Sequence, residues 1–134
     1  MCLAMNRANP EISLKPLKEA LNSLKSSLDQ PLNEFTRDST IQRFEYCFEL
    51  SWKSLKRYFL WNQNLDESNV KNLFREAGKQ QLINNVEQWF EFHKARNITS
   101  HTYSEEVAKK VYDTAKEFYP EAIHLLEQLE ILVQ

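Results

Sequence analysis

The sequence predicts an all-α protein, an antiparallel bundle of about five helices with the last one kinked at Pro120. Three observations carry this. Apolar residues recur at spacings of three and four in segment after segment, which is the period of a helix face. The 134 residues contain one glycine, Gly78, and four prolines, too few for the turns that sheets and hairpins need. Between the periodic stretches stand polar residues suited to capping helix ends.

The first helix is expected to start at Ser13 as N-cap, with Pro16 in the first turn, where its missing N–H costs little. Leu14, Leu17, Leu21, Leu24 and Leu28 form its apolar stripe, and Asp29-Gln30-Pro31 ends it. A polar loop, Asn33 to Asp38, is expected next, with Asp38 or Ser39 capping the second helix. That helix carries one stripe of Ile41, Phe44, Phe48, Trp52, Leu55 and Phe59, and a second flank of Tyr46, Leu50 and Trp61. Its polar sector, Glu45, Glu49 and Lys56, is narrow. A helix this apolar must bury two sides, in the middle of the bundle or against another subunit. Asn62-Gln63-Asn64 ends it.

Asp66 is expected to open the third helix, with Val70, Leu73, Phe74 and Ala77 inward and Gly78 as C-cap. Asn84 with Glu87 resembles a capping box for the fourth, on which Trp89, Phe92, His93, Arg96 and Ser100 fall near one line. Ser104 caps the fifth, with Glu105 and Glu106 well placed in its first turn. Val107, Val111, Ala115 and Phe118 are its stripe. Pro120 opposes the carbonyl of Lys116 and is expected to kink or restart the helix before Ala122, Leu125, Leu126, Leu129 and Leu132.

Length and composition bound the rest. The chain reads as a single domain over 1–134, with residues 1–10 expected to fray. A net charge of −2 gives no global basic field, so any nucleic-acid contact must come from a local patch. Cys2 and Cys47 read as free thiols in a reducing compartment. Met1 to Arg7 has no long apolar run, and no stretch is suited to spanning a bilayer, so a cytoplasmic protein without membrane contact is expected. The three histidines lack Cys, Asp or Glu at ligand spacing, so no metal and no cofactor is expected.

The chemistry gathers in Arg96-Asn97-Ile98-Thr99-Ser100-His101-Thr102-Tyr103, between the end of one helix and the cap of the next. Cleaving an RNA phosphodiester without metal requires proton transfer and stabilisation of charge on phosphorus. His101 can move protons near neutral pH, and such positioned acid–base catalysis contributes roughly 10²–10⁴-fold. Arg96 offers a planar fork of donors for phosphate oxygens. Asn97 can hydrogen-bond substrate or fix His101. Blander readings stand beside these. Arg96 could pair with a surface carboxylate, His101 could satisfy a helix end, and Tyr103 could pack at a corner. His93 reads as a core or boundary histidine. Trp52, Trp61 and Trp89 read as core or interface before base-stacking platforms, and Lys53, Lys56 and Arg57 as a solvated face.

The order Arg, four residues, His, one residue, Tyr resembles the core motif of the HEPN superfamily. More closely, the eight-residue string is similar to the HEPN proteins once called nucleotidyltransferase substrate-binding proteins, which are encoded beside a minimal nucleotidyltransferase. The likeness extends through Arg43-Phe44-Glu45, Glu49-Leu50-Ser51-Trp52-Lys53, Phe74-Arg75-Glu76-Ala77 and Trp89, over roughly residues 14–130. It implies the toxin of a toxin–antitoxin pair, a metal-independent ribonuclease acting on RNA. Arg96 and His101 would be catalytic, met across a homodimer, with Asn97 supporting. Tyr103 would accept AMP from the cognate minimal nucleotidyltransferase, the antitoxin. A phosphodiester there would set a negative charge and a nucleoside where substrate phosphate belongs, with like charges about 4 Å apart costing roughly 4 kcal/mol at an effective dielectric near 20. In many relatives an acidic residue precedes the motif arginine. Here Lys94 and Ala95 stand there, a departure that takes away the expected acidic orienting partner and implies weak nuclease activity. The chain is not the nucleotidyltransferase itself, because it has no Gly-Ser loop. The alternative implied function is a non-catalytic substrate- or nucleotide-binding accessory subunit of a separate nucleotidyltransferase.

Overall fold

The structure, a computed structural model, describes residues 13–133. The expected frayed start over residues 1–10, and Cys2, lie outside the described residues. Five α-helices follow one another: α1 Lys15–Leu28, α2 Glu34–Gln63, α3 Val70–Lys79, α4 Val86–Asn97 and α5 Glu105–Leu132, with a short 3₁₀ turn, Thr99–His101, between α4 and α5. The all-helical bundle is thus as the periodicity predicts. Several boundaries are not.

The cap of α1 is Leu14, one residue later than Ser13, because the backbone at Leu14 is already near-helical. The Ser13 hydroxyl still accepts from the Lys15 N–H at 3.4 Å. The larger correction is at α2. The segment expected as a loop from Asn33 to Asp38 is the first turn of this helix. Asn33 Oδ1 accepts from the N–H groups of Phe35 and Thr36 at 2.8 and 3.0 Å, and Thr36 Oγ1 accepts from Asn33 N–H at 2.9 Å. This is a capping box closed by a threonine rather than a Glu or Gln. Asn64, left-handed at φ 52°, ends the helix where expected.

The helix α2 packs against α1, α3, α4 and α5. The bundle itself therefore supplies cover for both sides. Phe44, Phe48, Leu55 and Phe59 are fully buried, while Leu50, Trp52 and Trp61 are half-buried and Tyr46 is exposed. The core is aromatic: Phe44 and Phe92 each meet Phe118 edge-on at 5.1 and 5.3 Å, and Trp89 lies 5.3 Å from Phe74. Edge contacts of this kind add to the gain from area burial.

Asn69, not Asp66, caps α3, with its Oδ1 accepting from Asn72 N–H at 3.0 Å. Asp66 precedes the helix by too many residues to reach a first-turn N–H. Gly78 is not the C-cap either. It sits inside the last turn, Gln80 is the cap, and the left-handed residue is Gln81 at φ 62°. What requires glycine at 78 is space: a Cβ there would run into Cγ2 of Val86, the first residue of α4. Asn85 rather than Asn84 caps α4, accepting from Gln88 N–H at 3.0 Å, and Asn84 instead donates to Glu121 Oε1. Ser104 caps α5 as expected, at 3.4 Å from Val107 N–H. Helix α5 continues through Pro120 without the restart that the missing N–H made possible. The packed residues on either side, Ala115, Phe118, Ala122 and Leu125, hold it in register.

Candidate functional site

The motif occupies a double turn built to leave few dangling backbone groups. The N–H of Ile98 bonds back to Ala95 and tightens the end of α4. His101 N–H then donates to Ile98 O at 3.0 Å, and Ser104 N–H to His101 O at 3.2 Å. Threonine hydroxyls take carbonyls that the helix end leaves open: Thr99 Oγ1 donates to Arg96 O at 2.9 Å and Thr102 Oγ1 to Thr99 O at 3.1 Å. Half-buried Ile98 packs this turn onto the core. The side chains of Arg96, His101 and Tyr103 therefore stand on a corner fixed at both ends by helices.

Arg96, in the last turn of α4, is held by two carboxylates from α2. Its Nη1 lies 3.3 Å from Glu45 Oε2, and its Nε lies 3.3 Å from Glu49 Oε2. The second contact is ionic rather than a hydrogen bond, since Nε is buried and lacks an aligned acceptor. Thr99 Oγ1 also stands 3.3 Å from Glu45 Oε2, so its one proton is shared in turn between that carboxylate and Arg96 O. Glu45 and Glu49 are one helical turn apart and point at the same guanidinium. The sequence signal for them is their i, i+4 spacing in the narrow polar sector of α2.

One turn before Arg96, His93 stacks on Phe48 with ring centroids 5.7 Å apart and planes 9° from parallel. Burial pushes its pKa below the usual histidine value. Lys71 and Arg96 push the same way, and Glu49 opposes them. His93 is thus a neutral boundary residue, as its place on the aromatic stripe predicts. Burial also raises the Cys47 thiol to about 12, which makes it an inert core group.

His101 and Tyr103 are exposed, and their rings meet edge to face with centroids 6.0 Å apart. Tyr103 is 83% exposed, the setting of an accessible hydroxyl rather than of a packing residue. Asn97, the last residue of α4, is exposed as well. Within the chain the imidazole and phenol are brought together, while the guanidinium is engaged with α2. Arg96 and His101 make no direct hydrogen bond among the described residues. Trp89 is core, and Trp52 and Trp61 are half-buried. Among the described residues no three His, Cys, Asp or Glu side chains gather as metal ligands, and no helix is long and apolar enough to cross a membrane.

Comparison with known proteins bears on the family and the fold. Residues 12–131 match the family described as nucleotidyltransferase substrate binding protein like. A probable ribonuclease HepT from Haemophilus influenzae is 41% identical over 93 residues, which is 66% of this chain and 64% of the relative, so the match spans just under two thirds of that protein. A solved structure from Haemophilus influenzae, described as revealing the fold of a substrate binding domain of a nucleotidyltransferase, superposes with a TM-score of 0.81 at 34% identity, covering 88% of this chain and 99% of the other. A crystal structure from Thermus thermophilus superposes with a TM-score of 0.79 at 28% identity, covering 84% and 98%. With the motif, the helical fold and a match over nearly the whole chain in agreement, this protein belongs to the nucleotidyltransferase substrate binding protein-like family of the HEPN superfamily.

Proposed function

We propose that this protein is the HEPN toxin of a toxin–antitoxin pair, a metal-independent endoribonuclease that works as a homodimer. Arg96 grips the scissile phosphate, His101 moves the proton, and Asn97 supports them with a hydrogen bond to substrate or imidazole. The observation that carries this is the α4–α5 corner: a guanidinium held by Glu45 and Glu49 at the end of α4, five residues before an exposed imidazole on the 3₁₀ turn. In this reading the site is completed across the dimer, Arg96 of one copy facing His101 of the other, as the likeness to the HEPN superfamily implies. Tyr103 is the acceptor of AMP from a cognate minimal nucleotidyltransferase. Its exposure and its edge contact with His101 support that role, and the likeness to a probable ribonuclease supports the nuclease reading.

The test is cleavage of RNA by purified protein in the presence of chelator, wild type against His101→Ala. Cleavage should persist with chelator and disappear in the variant; equal cleavage by both rejects the assignment. A second reading, a non-catalytic accessory subunit of a separate nucleotidyltransferase, draws on the description of the solved relative as a substrate binding domain. It predicts a stable complex with that enzyme and no cleavage by the wild type.

A further inference from the structure

We propose that the outer face of α2 just beyond the Arg96 clamp, formed by Trp52, Lys53, Lys56 and Arg57, is a docking surface for single-stranded RNA. The proposal rests on the RNA-cleaving reading above and supplies its approach path. These four residues and Leu60 line a shallow groove of about 290 Å³. Lys53 and Arg57 are exposed and Lys56 is half-buried. Elsewhere Lys25, Arg37, Arg96, Lys109 and Lys116 each meet a carboxylate within 4 Å. Lys53, Lys56 and Arg57 are in no such pair among the described residues, nor are Lys71, Arg75, Lys79, Lys94 and Lys110; the three on α2 are set apart by sharing a groove with a tryptophan. In a chain of net charge −2 this is a local excess of positive charge on adjacent turns.

An aromatic ring lies within that charge. Trp52 is half-buried against the core, and Lys53 Nζ lies over its ring, 5.8 Å from the centroid, so a base stacking there takes the face from a flexible lysine, which then meets a phosphate. A ring held from behind beside a row of cations suits a base and its phosphates together, since stacking tolerates any base and the cations follow the backbone. An acidic protein surface would use the cations and leave the ring idle.

The groove lies on the same face of α2 as the two carboxylates that hold Arg96. Glu45, Glu49, Lys53 and Lys56 follow at steps of four, four and three on one face of α2. At 1.5 Å rise per residue, Lys53 lies about 6 Å and Arg57 about 12 Å beyond Glu49 along the helix. A strand with a phosphate on Arg96 reaches the groove within a few nucleotides.

The experiment uses the full chain carrying His101→Ala, so that bound RNA survives, and a fluorescein-labelled mixed-sequence oligoribonucleotide of about 12 nucleotides, within the usual range of single-strand site sizes. Affinity is measured against salt with and without Lys53→Gln, Lys56→Gln and Arg57→Gln together. A control removes the same charge from α1 at Lys15, Lys18 and Lys25. The groove variant should bind at least about tenfold more weakly, with the slope of log K against log salt reduced by about 2, as the loss of three single-strand phosphate contacts requires. The control should stay near the parent. Unchanged affinity and slope in the groove variant overturn the proposal, as does an absence of RNA binding in the parent. So does loss of nucleotidyltransferase binding with RNA binding intact. If wild-type protein fails to cleave RNA yet the groove variant still loses binding, the docking surface stands and the nuclease reading falls.

Discussion

Arg96 Nη1 lies 3.3 Å from Glu45 Oε2, across the junction of α4 and α2, and Glu49 approaches the same guanidinium from one helical turn away. Two carboxylates on one partly exposed arginine add little stability, because ion pairs in contact with water contribute roughly 0–1 kcal/mol each. Their effect is on direction: they fix which face of the fork looks outward. Replacing both, Glu45→Gln with Glu49→Gln, should lower RNA cleavage at least about tenfold, a loss in keeping with mispositioning of a charged group. Stability in urea should fall by only about 1 kcal/mol. Single-turnover cleavage rates beside unfolding curves check this. Unchanged or faster cleavage would mean the carboxylates restrain the guanidinium rather than aim it.

Gly78 is set against Val86, not at a left-handed turn. Two effects oppose each other in Gly78→Ala. Alanine favours an interior helical position by about 1 kcal/mol. Its methyl group would drive into a β-branched side chain with little freedom to turn away, and overpacking of this kind costs roughly 1–3 kcal/mol. The clash should win, with net destabilisation of about 1 kcal/mol. In a Val86→Ala background the methyl has room, and Gly78→Ala should then stabilise. Urea unfolding of the four proteins decides it, and a single variant more stable than wild type would refute the packing account.

His93 links the aromatic core to the site. Burial, Lys71 and Arg96 hold its folded pKa below the unfolded value near 6.5, against the pull of Glu49. The unfolded chain therefore binds the proton more readily. The stability involved is present above about pH 6.5 and is lost as pH falls through the folded pKa. Unfolding midpoints at about pH 7.5 and about pH 5.5 should differ more in wild type than in His93→Gln. His101 and His124 are common to both proteins and cancel. Equal pH dependence in the two would remove His93 as its source.

Much of this is legible in the sequence, and the gaps have physical causes. The buried stripes follow from three-and-four spacing, so Leu17, Leu21, Leu24, Phe44, Phe48 and Phe118 are identified as core by periodicity alone. Helix starts shift because several polar residues in a row can each cap. Asn33, Asn69 and Asn85 win over Asp38, Asp66 and Asn84 through the register that packing imposes on the helix behind them. Gly78 suggests a C-cap through its backbone freedom, while its real constraint is a neighbour in the next helix, a tertiary fact. The motif marks the corner, but Glu45 and Glu49 stand out in the sequence only as a polar sector. Their approach to Arg96 spans more than forty residues of chain, so no local pattern could pair them.

Tyr103 gives the last prediction. Its phenol is 83% exposed and its ring rests edge-on against His101 at 6.0 Å. Removing the hydroxyl breaks no hydrogen bond among the described residues, so Tyr103→Phe should fold normally and cleave RNA at close to the wild-type rate. Its distinct property should be resistance. After incubation with the cognate nucleotidyltransferase, ATP and Mg²⁺, wild type should gain the mass of one or more AMP groups and lose cleavage, while Tyr103→Phe gains none and stays active. In so open a position salt screens the added charge, so the bulk of the nucleoside over the imidazole must supply most of the block. Inhibition should then persist at high salt. Recovery of cleavage by the modified protein as salt rises would assign the block to charge instead, and mass gain by Tyr103→Phe would move the acceptor elsewhere.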